Sequence, residues 1–261
     1  MNTLDRFSNR VDNYIRYRPG YPADVLAFLK QENILKPGSV IADIGSGTGI
    51  SAQLFLNENI VYGVEPNREM REAAERLLAG SSSFKSIGAT AEATTLADHS
   101  VDLIIAGQAF HWFDKQKCRE EFKRILKPGR TVVLMWNDRR TDSTPFLRSY
   151  EDFIKMFATD YLEVNHKNID KKVFDDFFGK ENYRVKSFDN FQHFDLEGLK
   201  GRILSSSYMP AEGHKDFDYM MYVLKKTFNR FQENITLPSG ESRRGVVTIE
   251  YDTTIYYGRL S

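Results

Sequence analysis

The sequence predicts an α/β fold, a doubly wound parallel sheet with helices on both faces, on three observations. An apolar strand over 40–44 ends in a turn whose glycines alternate with other residues, Gly45, Gly47 and Gly49. A helix then begins, and further apolar strands alternate with amphipathic segments along the chain. The loops between them are short, as in sheets of parallel strands. The later predicted strands of this sheet cover 60–65, 83–89, 101–107 and 131–136.

Composition narrows the class of protein. The chain has 261 residues, 41% of them apolar, with 36 basic and 36 acidic residues and a formal net charge of zero. This balance argues against a surface that coats nucleic acid or steers toward a membrane. Cys118 is the only cysteine, which excludes an internal disulfide and a cysteine metal site, and the histidines lack metal-ligand spacing. We therefore expect no metal.

The first residues of the chain carry charges and lack the apolar core of a signal peptide. No apolar run is long enough to span a bilayer. We therefore expect a cytoplasmic protein.

We predict a single domain over 1–261 with two additions to the sheet. Residues 1–22 are rich in tyrosine and arginine, and two prolines around a glycine prevent a continuous helix. Any one ring there could pack on the core, but together they suit a lid over a charged ligand. The second addition is a helical cap insertion over 195–245, between long alternating strands at 183–194 and 246–257.

The spacing of the glycines selects among possible ligands. A dinucleotide fingerprint requires Gly-x-Gly-x-x-Gly, whereas here the third glycine comes one residue early and Ile50 follows it. A phosphate loop would require Gly-Lys-Ser/Thr, which is absent. The remaining pattern is Asp-x-Gly-x-Gly-x-Gly, beginning at Asp43. Such a turn offers a floor without side chains, on which a ligand can lie.

Polar and aromatic residues follow several strands at their predicted carboxyl ends, where ligands bind in parallel sheets. Glu65 lies about twenty residues beyond the first glycine, where a carboxylate can bind the two hydroxyls of a ribose. The other groups expected to line the same crevice are Ala91-Glu92, Phe110-His111-Trp112 and Trp136-Asn137.

The stretch from Arg18 to Asn137 resembles the type 11 family of class I S-adenosylmethionine-dependent methyltransferases. Residues 7–22 and the segment Gln108–Phe113 are similar, more narrowly, to the trans-aconitate methyltransferase-like subgroup. This resemblance implies a Rossmann-like sheet of about seven strands with the last strand antiparallel. It also implies S-adenosylmethionine as the cofactor.

The resemblance further implies the cofactor contacts. The glycine turn approaches the methionine portion, Glu65 holds the ribose, and Arg18 and Tyr14 cover the cofactor. The complete set implied is Tyr14, Arg18, Asp43, Gly45, Ser46, Gly47, Glu65, Pro66, Asn67, Met70, Ala91, Glu92 and Gln108.

We expect the methyl acceptor to be a small molecule, possibly the carboxylate of a small organic acid. A carboxylate needs no base, whereas a hydroxyl or an amine does, and His111 is then the candidate catalytic base. His111 could instead orient the aromatic loop around it. An arginine after the fifth strand could clamp an acceptor carboxylate. The residues predicted to contact the acceptor are Tyr17, Trp112, Trp136, Arg139, Arg140 and Tyr208.

Two other functions compete with this one. A non-catalytic S-adenosylmethionine-binding regulator would keep the glycine turn and lack an enclosed acceptor pocket. A methyltransferase of nucleic acid or protein would need an Asn-Pro-Pro-Tyr-like strand end or a basic groove, and the chain has Gln-Ala-Phe-His-Trp-Phe at 108–113. We therefore expect a small-molecule partner, no nucleic acid, no membrane, and a monomer or homodimer.

Overall fold

The computed structural model describes residues 15–159 and 170–261. These residues form two compact units, which we name by their main features. The glycine-turn unit comprises 20–137, 170–188 and 253–261. The helical unit comprises 15–19, 138–159 and 189–252. The prediction of a single domain stays a prediction.

The strands form one eight-stranded sheet in the order β3-β2-β1-β4-β5-β8-β6, with β7 paired to β8. Strands β1 to β5 pair in parallel, and the C-terminal strands are antiparallel, so the predicted fold class is confirmed. The strands are β1 Val40–Ile44, β2 Ile60–Val64, β3 Phe84–Ile87, β4 Val101–Gly107, β5 Leu126–Arg139, β6 Tyr183–Phe194, β7 Glu233–Thr236 and β8 Ser242–Gly258.

The helices of the described residues separate most of these strands, and a single 3₁₀ turn spans Phe110–Trp112. The helices are α1 Ala23–Gln31, α2 Ile50–Gln53, α3 Arg68–Leu77, α4 Lys115–Ile125, α5 Pro145–Phe157, α6 Lys171–Phe178, α7 Leu196–Leu204 and α8 Phe217–Phe231.

Successive residues of the central strands pack in different hydrophobic clusters, as expected for a doubly wound sheet in the glycine-turn unit. Ala42 and Ile44 of β1 pack in one buried cluster, and Ile41 between them packs in another. Strand β4 repeats the alternation, with Ile104 in the first cluster and Leu103 in the second. Because side chains of a strand point alternately to opposite faces, both faces of the sheet are covered.

Short side chains fix where the helices begin. The Asn67 side chain accepts a hydrogen bond of 3.0 Å from the backbone N–H of Met70 at the start of α3. Asp114 accepts one of 3.2 Å from the N–H of Lys117 at the start of α4. Each bond satisfies a donor that the first helical turn leaves without a partner.

The helix expected after Gly49 is present and ends at Gln53. Two local expectations are corrected. Strand β5 begins directly after α4, at Leu126, and a register shift absorbs the Lys127-Pro128-Gly129 turn before Thr131. The predicted insertion between the last two strands contains an added short strand, β7.

The helical unit has an apolar core of its own, in which α5 packs against α8. Tyr150 and Phe153 of α5 are almost completely buried there, as are Leu224 of α8 and Tyr251 of β8. Among the residues that the structure describes, no helix combines the length and apolarity needed to cross a membrane.

Candidate functional site

The three glycines of the turn all adopt positive φ, but for different reasons. A Cβ on Gly45 would lie 2.6 Å from the Cβ of Ala109, and one on Gly49 would lie 2.7 Å from Cδ1 of Leu78. Packing therefore requires glycine at both positions. A Cβ on Gly47, where φ is +54°, would meet no atom within 4 Å. The open space lies above Gly47, which is where a ligand can approach the backbone.

Glu65 follows β2 and is joined to the glycine turn by its carboxylate. Oε2 accepts a hydrogen bond of 3.0 Å from the N–H of Gly47, and Oε1 accepts one of 2.8 Å from the N–H of Asn67. The side chain is buried, and burial raises its pKa. Each carboxylate oxygen keeps a second lone pair, so Glu65 can still accept two hydroxyl donors.

Asp43 is completely buried at the end of β1 and ties the turn to α2. Its Oδ2 accepts a hydrogen bond of 2.6 Å from the Ser51 hydroxyl, while Oδ1 has no hydrogen-bond partner among the described residues. Burial raises the pKa of Asp43 from 3.8 to about 7. The carboxyl therefore binds its proton over a pH range in which the unfolded chain has lost it.

Replacing Asp43 by asparagine is expected to flatten the dependence of stability on pH. In the wild type the folded chain holds a proton that the unfolded chain releases, so stability falls as pH rises from about 4 to about 7. One such proton contributes at most about 1.4 kcal/mol per pH unit. Urea unfolding at pH 5 and pH 7 measures the slope. An unchanged slope in Asp43→Asn would contradict the assignment.

Gln108 ends β4 in a strained conformation. Its φ of +57° is unusual for a residue other than glycine. The backbone N–H donates to the carbonyl of Met135 at 2.9 Å, and the side-chain Nε2 donates to the carbonyl of Asn137 at 3.2 Å. Such strain persists where surrounding contacts impose it, commonly at functional sites. The neighbouring strand β5 thus sets the direction of the Gln108 side chain.

Tyr21 lies in the same region, although the sequence predicted it only as part of the 1–22 segment and not as a site residue. A Cβ on Gly107 would lie 2.5 Å from the Tyr21 hydroxyl oxygen, so the ring covers the end of β4. The carbonyl of the preceding residue, Gly20, accepts a hydrogen bond of 3.1 Å from the Asn137 side chain. The only signal in the sequence is the aromatic character of 1–22.

The residues expected near an adenine take different positions. Pro66 is exposed, Asn67 caps α3, and Met70 is buried with 5% exposed. Ala91 is also buried, and the Glu92 carboxylate accepts a hydrogen bond of 2.9 Å from the N–H of Asp114. The Ser46 side chain is buried within the glycine turn.

The aromatic segment after β4 places its members in contrasting environments. His111 is half-buried, with its ring centroid 4.5 Å from that of Trp112, and Trp112 is 45% exposed. Trp136 is only 3% exposed and packs edge-on against Phe110 and Tyr256. Its indole N–H has no partner among the described residues. His111 and Trp112 are therefore the accessible members of this group.

The remaining predicted residues belong to the helical unit, except Tyr14, which lies outside the described residues. Arg18 donates to the carbonyl of Ser205 at 3.1 Å, and the Tyr208 carbonyl accepts from the N–H of Thr159 at 3.0 Å. The carbonyl of Tyr17 accepts from Gln192 at 3.2 Å. These contacts attach Tyr17 and Arg18 to the rest of the helical unit.

The two adjacent arginines at 139 and 140 both have carboxylate partners. Arg139 pairs with Glu151 and lies over the ring of Tyr150, with its central carbon 5.1 Å from the ring centroid. Arg140 pairs with Asp189 and, at 2.6 Å, with Asp252. A role of either arginine toward the acceptor stays a prediction.

Gly201→Ala tests the contact between Tyr17 and α7. A Cβ on Gly201 would lie 2.0 Å from Cε2 of Tyr17, so the ring must move. Alanine at an unobstructed helix position would stabilise by about 1 kcal/mol. We expect the opposite here, together with faster tryptic cleavage after Arg16. Cleavage at the wild-type rate, with a raised unfolding midpoint, would contradict the contact.

Within the described ranges, no cluster of three or more histidine, cysteine, aspartate or glutamate side chains could hold a metal ion.

Comparison with known proteins finds similarity to methyltransferases, which agrees with a cofactor site at the glycine turn and Glu65. Residues 42–134 match the family model of a methyltransferase domain. Over 231 residues the chain is 25% identical to an uncharacterized methyltransferase of Schizosaccharomyces pombe, covering 87% of this chain and 89% of that protein. A methyltransferase-like protein of the same organism is 27% identical over 162 residues. That match covers 60% of each chain, so it spans less than two thirds of the relative.

The fold has a counterpart among solved structures. A type II methyltransferase candidate from Anaeromyxobacter dehalogenans superposes with a TM-score of 0.67 at 19% identity, covering 93% of this chain and 98% of the other. At this identity the likeness shows the fold alone.

Proposed function

We propose that this chain is a class I methyltransferase of type 11, and we propose the class of its methyl acceptor. The family match, the relatives and the fold support the first proposal. The acceptor is a small organic acid, methylated on a carboxylate, and S-adenosylmethionine is the cofactor. The observation that carries the cofactor assignment is the open space above Gly47, with the Glu65 carboxylate hydrogen-bonded to that same residue.

The residues present fit this cofactor. Gly45 and Gly47 would accommodate its methionine portion on exposed backbone, and Glu65 would accept hydrogen bonds from the ribose hydroxyls. Asn67 and Glu92 would border the adenine, and Gln108 would face the methionine portion at the end of β4. When bound, the cofactor supplies a methyl group on a sulfonium centre, which is electrophilic without further activation.

The protein then has to orient the acceptor and exclude water. A carboxylate is ionised at neutral pH and needs no proton removed, so no base is required. The zero net charge and the strand end Gln108–Phe113 favour a small acceptor over a nucleic acid. The narrower resemblance to trans-aconitate methyltransferase-like proteins supports an acid in particular.

His111 is the basis of a second candidate reaction. It lies half-buried in the 3₁₀ turn that follows Gln108, where a base for a hydroxyl or amine acceptor would be useful. In that case activity would require His111 to be neutral, would fall at acid pH, and would be lost in His111→Ala.

Transfer of a labelled methyl group from S-adenosylmethionine decides among these reactions. The panel pairs small mono-, di- and tricarboxylic acids with amines and phenols of similar size. Methyl esters formed from acids by both wild type and His111→Ala support the proposal. Turnover of amines or phenols alone, lost in His111→Ala, would establish the second reaction.

Two further outcomes refute both reactions. S-adenosylhomocysteine binding without turnover of any acceptor indicates a regulator. Label appearing in the protein or nucleic acid of a cell extract, and in no small molecule, indicates a macromolecular acceptor.

A further inference from the structure

Arg202 of α7 is a buried cation whose charge no carboxylate of the described residues balances. The residue is 6% exposed, and it forms no ion pair with any residue that the structure describes. Its Nε donates to the hydroxyl of Tyr251 at 3.3 Å. Its Nη1 lies 3.1 Å from the Ser206 hydroxyl and 3.4 Å from that of Ser205. Every hydrogen-bond partner that the described part of the chain gives this guanidinium is therefore a neutral hydroxyl group.

Two half-buried arginines of the same unit are each paired with a carboxylate. Arg139 is paired with Glu151, and Arg140 is paired with aspartates. A guanidinium stays charged at any physiological pH, and burial of an unbalanced charge costs several kcal/mol. Among the described residues, two arginines are provided with carboxylates, whereas a more deeply buried third is provided only with hydroxyls, so an anion from outside these residues could balance its charge.

The surroundings of Arg202 contain donors rather than another counter-ion. Burial raises the pKa of Tyr150, whose charge interaction with Arg202 places it nearby, so its hydroxyl stays protonated at neutral pH. The Tyr251 hydroxyl donates to Oε1 of Gln192 at 2.8 Å and is thereby fixed in direction. Glu151, the adjacent carboxylate on α5, is taken by Arg139 and Lys155.

We propose that Arg202, with the hydroxyls of Ser206 and Tyr150, is a binding site for the carboxylate of a small organic acid. A planar guanidinium fork matches the two oxygens of a carboxylate, and hydroxyl donors complete its coordination. The identification of this acid with the methyl acceptor rests on the proposed function. The binding site itself stands on the contacts around Arg202.

The test compares Arg202→Met with Lys200→Met, which removes one positive charge from the same helix. Lys200 is a suitable control because its side chain is 32% exposed and pairs with Glu197 at 2.8 Å. Thermal unfolding and calorimetry are measured with acetate, succinate, citrate and benzoate at constant ionic strength, and with neutral succinamide. Arg202→Lys is included because it keeps the charge and loses the fork.

We expect at least one of the four acids, and not succinamide, to raise the unfolding midpoint of wild type and Lys200→Met. Its affinity should fall about tenfold or more in Arg202→Met, and less in Arg202→Lys. Without acid, Arg202→Met should unfold no earlier than wild type, because an apolar side chain of similar length removes a buried charge.

Three results would overturn the proposal. They are no binding of any of the four acids to wild type, equal binding to Arg202→Met, and a fall in the unfolding midpoint of Arg202→Met that no acid affects. Binding of S-adenosylhomocysteine is measured on the same samples. Acid binding without S-adenosylhomocysteine binding would refute the proposed function while leaving the Arg202 site intact.

Discussion

Gly47→Val is expected to weaken the binding of S-adenosylhomocysteine by about a hundredfold or more, roughly 2.7 kcal/mol. A Cβ on Gly47 would meet no atom within 4 Å, so the β-carbon of valine would not collide with the described residues. The valine side chain would occupy the floor on which the ligand lies. Isothermal titration calorimetry of the purified variant measures the loss.

Gly129→Val separates this effect from backbone strain. Gly129 also has positive φ, +74°, and open space around its Cβ position, but it lies in the turn at the start of β5. Positive φ disfavours a β-branched residue at both sites, so both variants should lose similar stability. Only Gly47→Val should lose affinity. Wild-type affinity in Gly47→Val would exclude the glycine turn as the cofactor site.

Glu65→Ala is expected to reduce the same affinity by roughly 1.5–3 kcal/mol, the usual contribution of hydrogen bonds to a charged group. Two effects act together. The ribose hydroxyls lose their acceptor, and the N–H groups of Gly47 and Asn67 lose the carboxylate that holds the turn in place.

Glu65→Gln distinguishes the two effects. The amide keeps the length of the side chain, but its NH₂ group faces one of the two backbone donors, so affinity should fall to between those of wild type and Glu65→Ala. Glu58→Ala is the matched control, because Glu58 is 45% exposed and pairs only with Lys30 in the described residues. Equal affinity in Glu65→Ala and Glu58→Ala would remove Glu65 from the cofactor site.

The elements of the fold that depend only on residues close to them in sequence were predictable. Strands 101–107 and 183–194 were predicted with the bounds observed, because each alternates or runs apolar between clear turn residues. The capping role of Asp114 was predictable for the same reason, since a cap acts within one turn of its helix. Strand β5 was not, because pairing with Val101 of β4 extends it back to Leu126.

The site divides in the same way between local and long-range causes. The glycine pattern and the separation of Gly45 from Glu65 along the chain can be taken directly from the sequence. In the structure the N–H of Gly47 donates a hydrogen bond of 3.0 Å to the Glu65 carboxylate. The sequence offers no measure of burial, and burial is what raises the pKa of Asp43 to about 7. It likewise cannot indicate that Gln108 has positive φ, since residues of β5 hold its backbone and side chain.

The adjacent arginines illustrate this division most directly. Arg139 and Arg140 were predicted to meet an acceptor carboxylate because they follow a strand, and the chain itself supplies Glu151 and Asp252 as their partners. Arg202, whose position in a helical insertion carries no motif, is a buried cation for which the described residues provide only hydroxyl partners. Local sequence determines strands, turns and caps through short-range sterics and hydrogen bonds. Which charges are balanced depends on residues far apart in the chain, such as Arg202 and Tyr251, that only packing brings together.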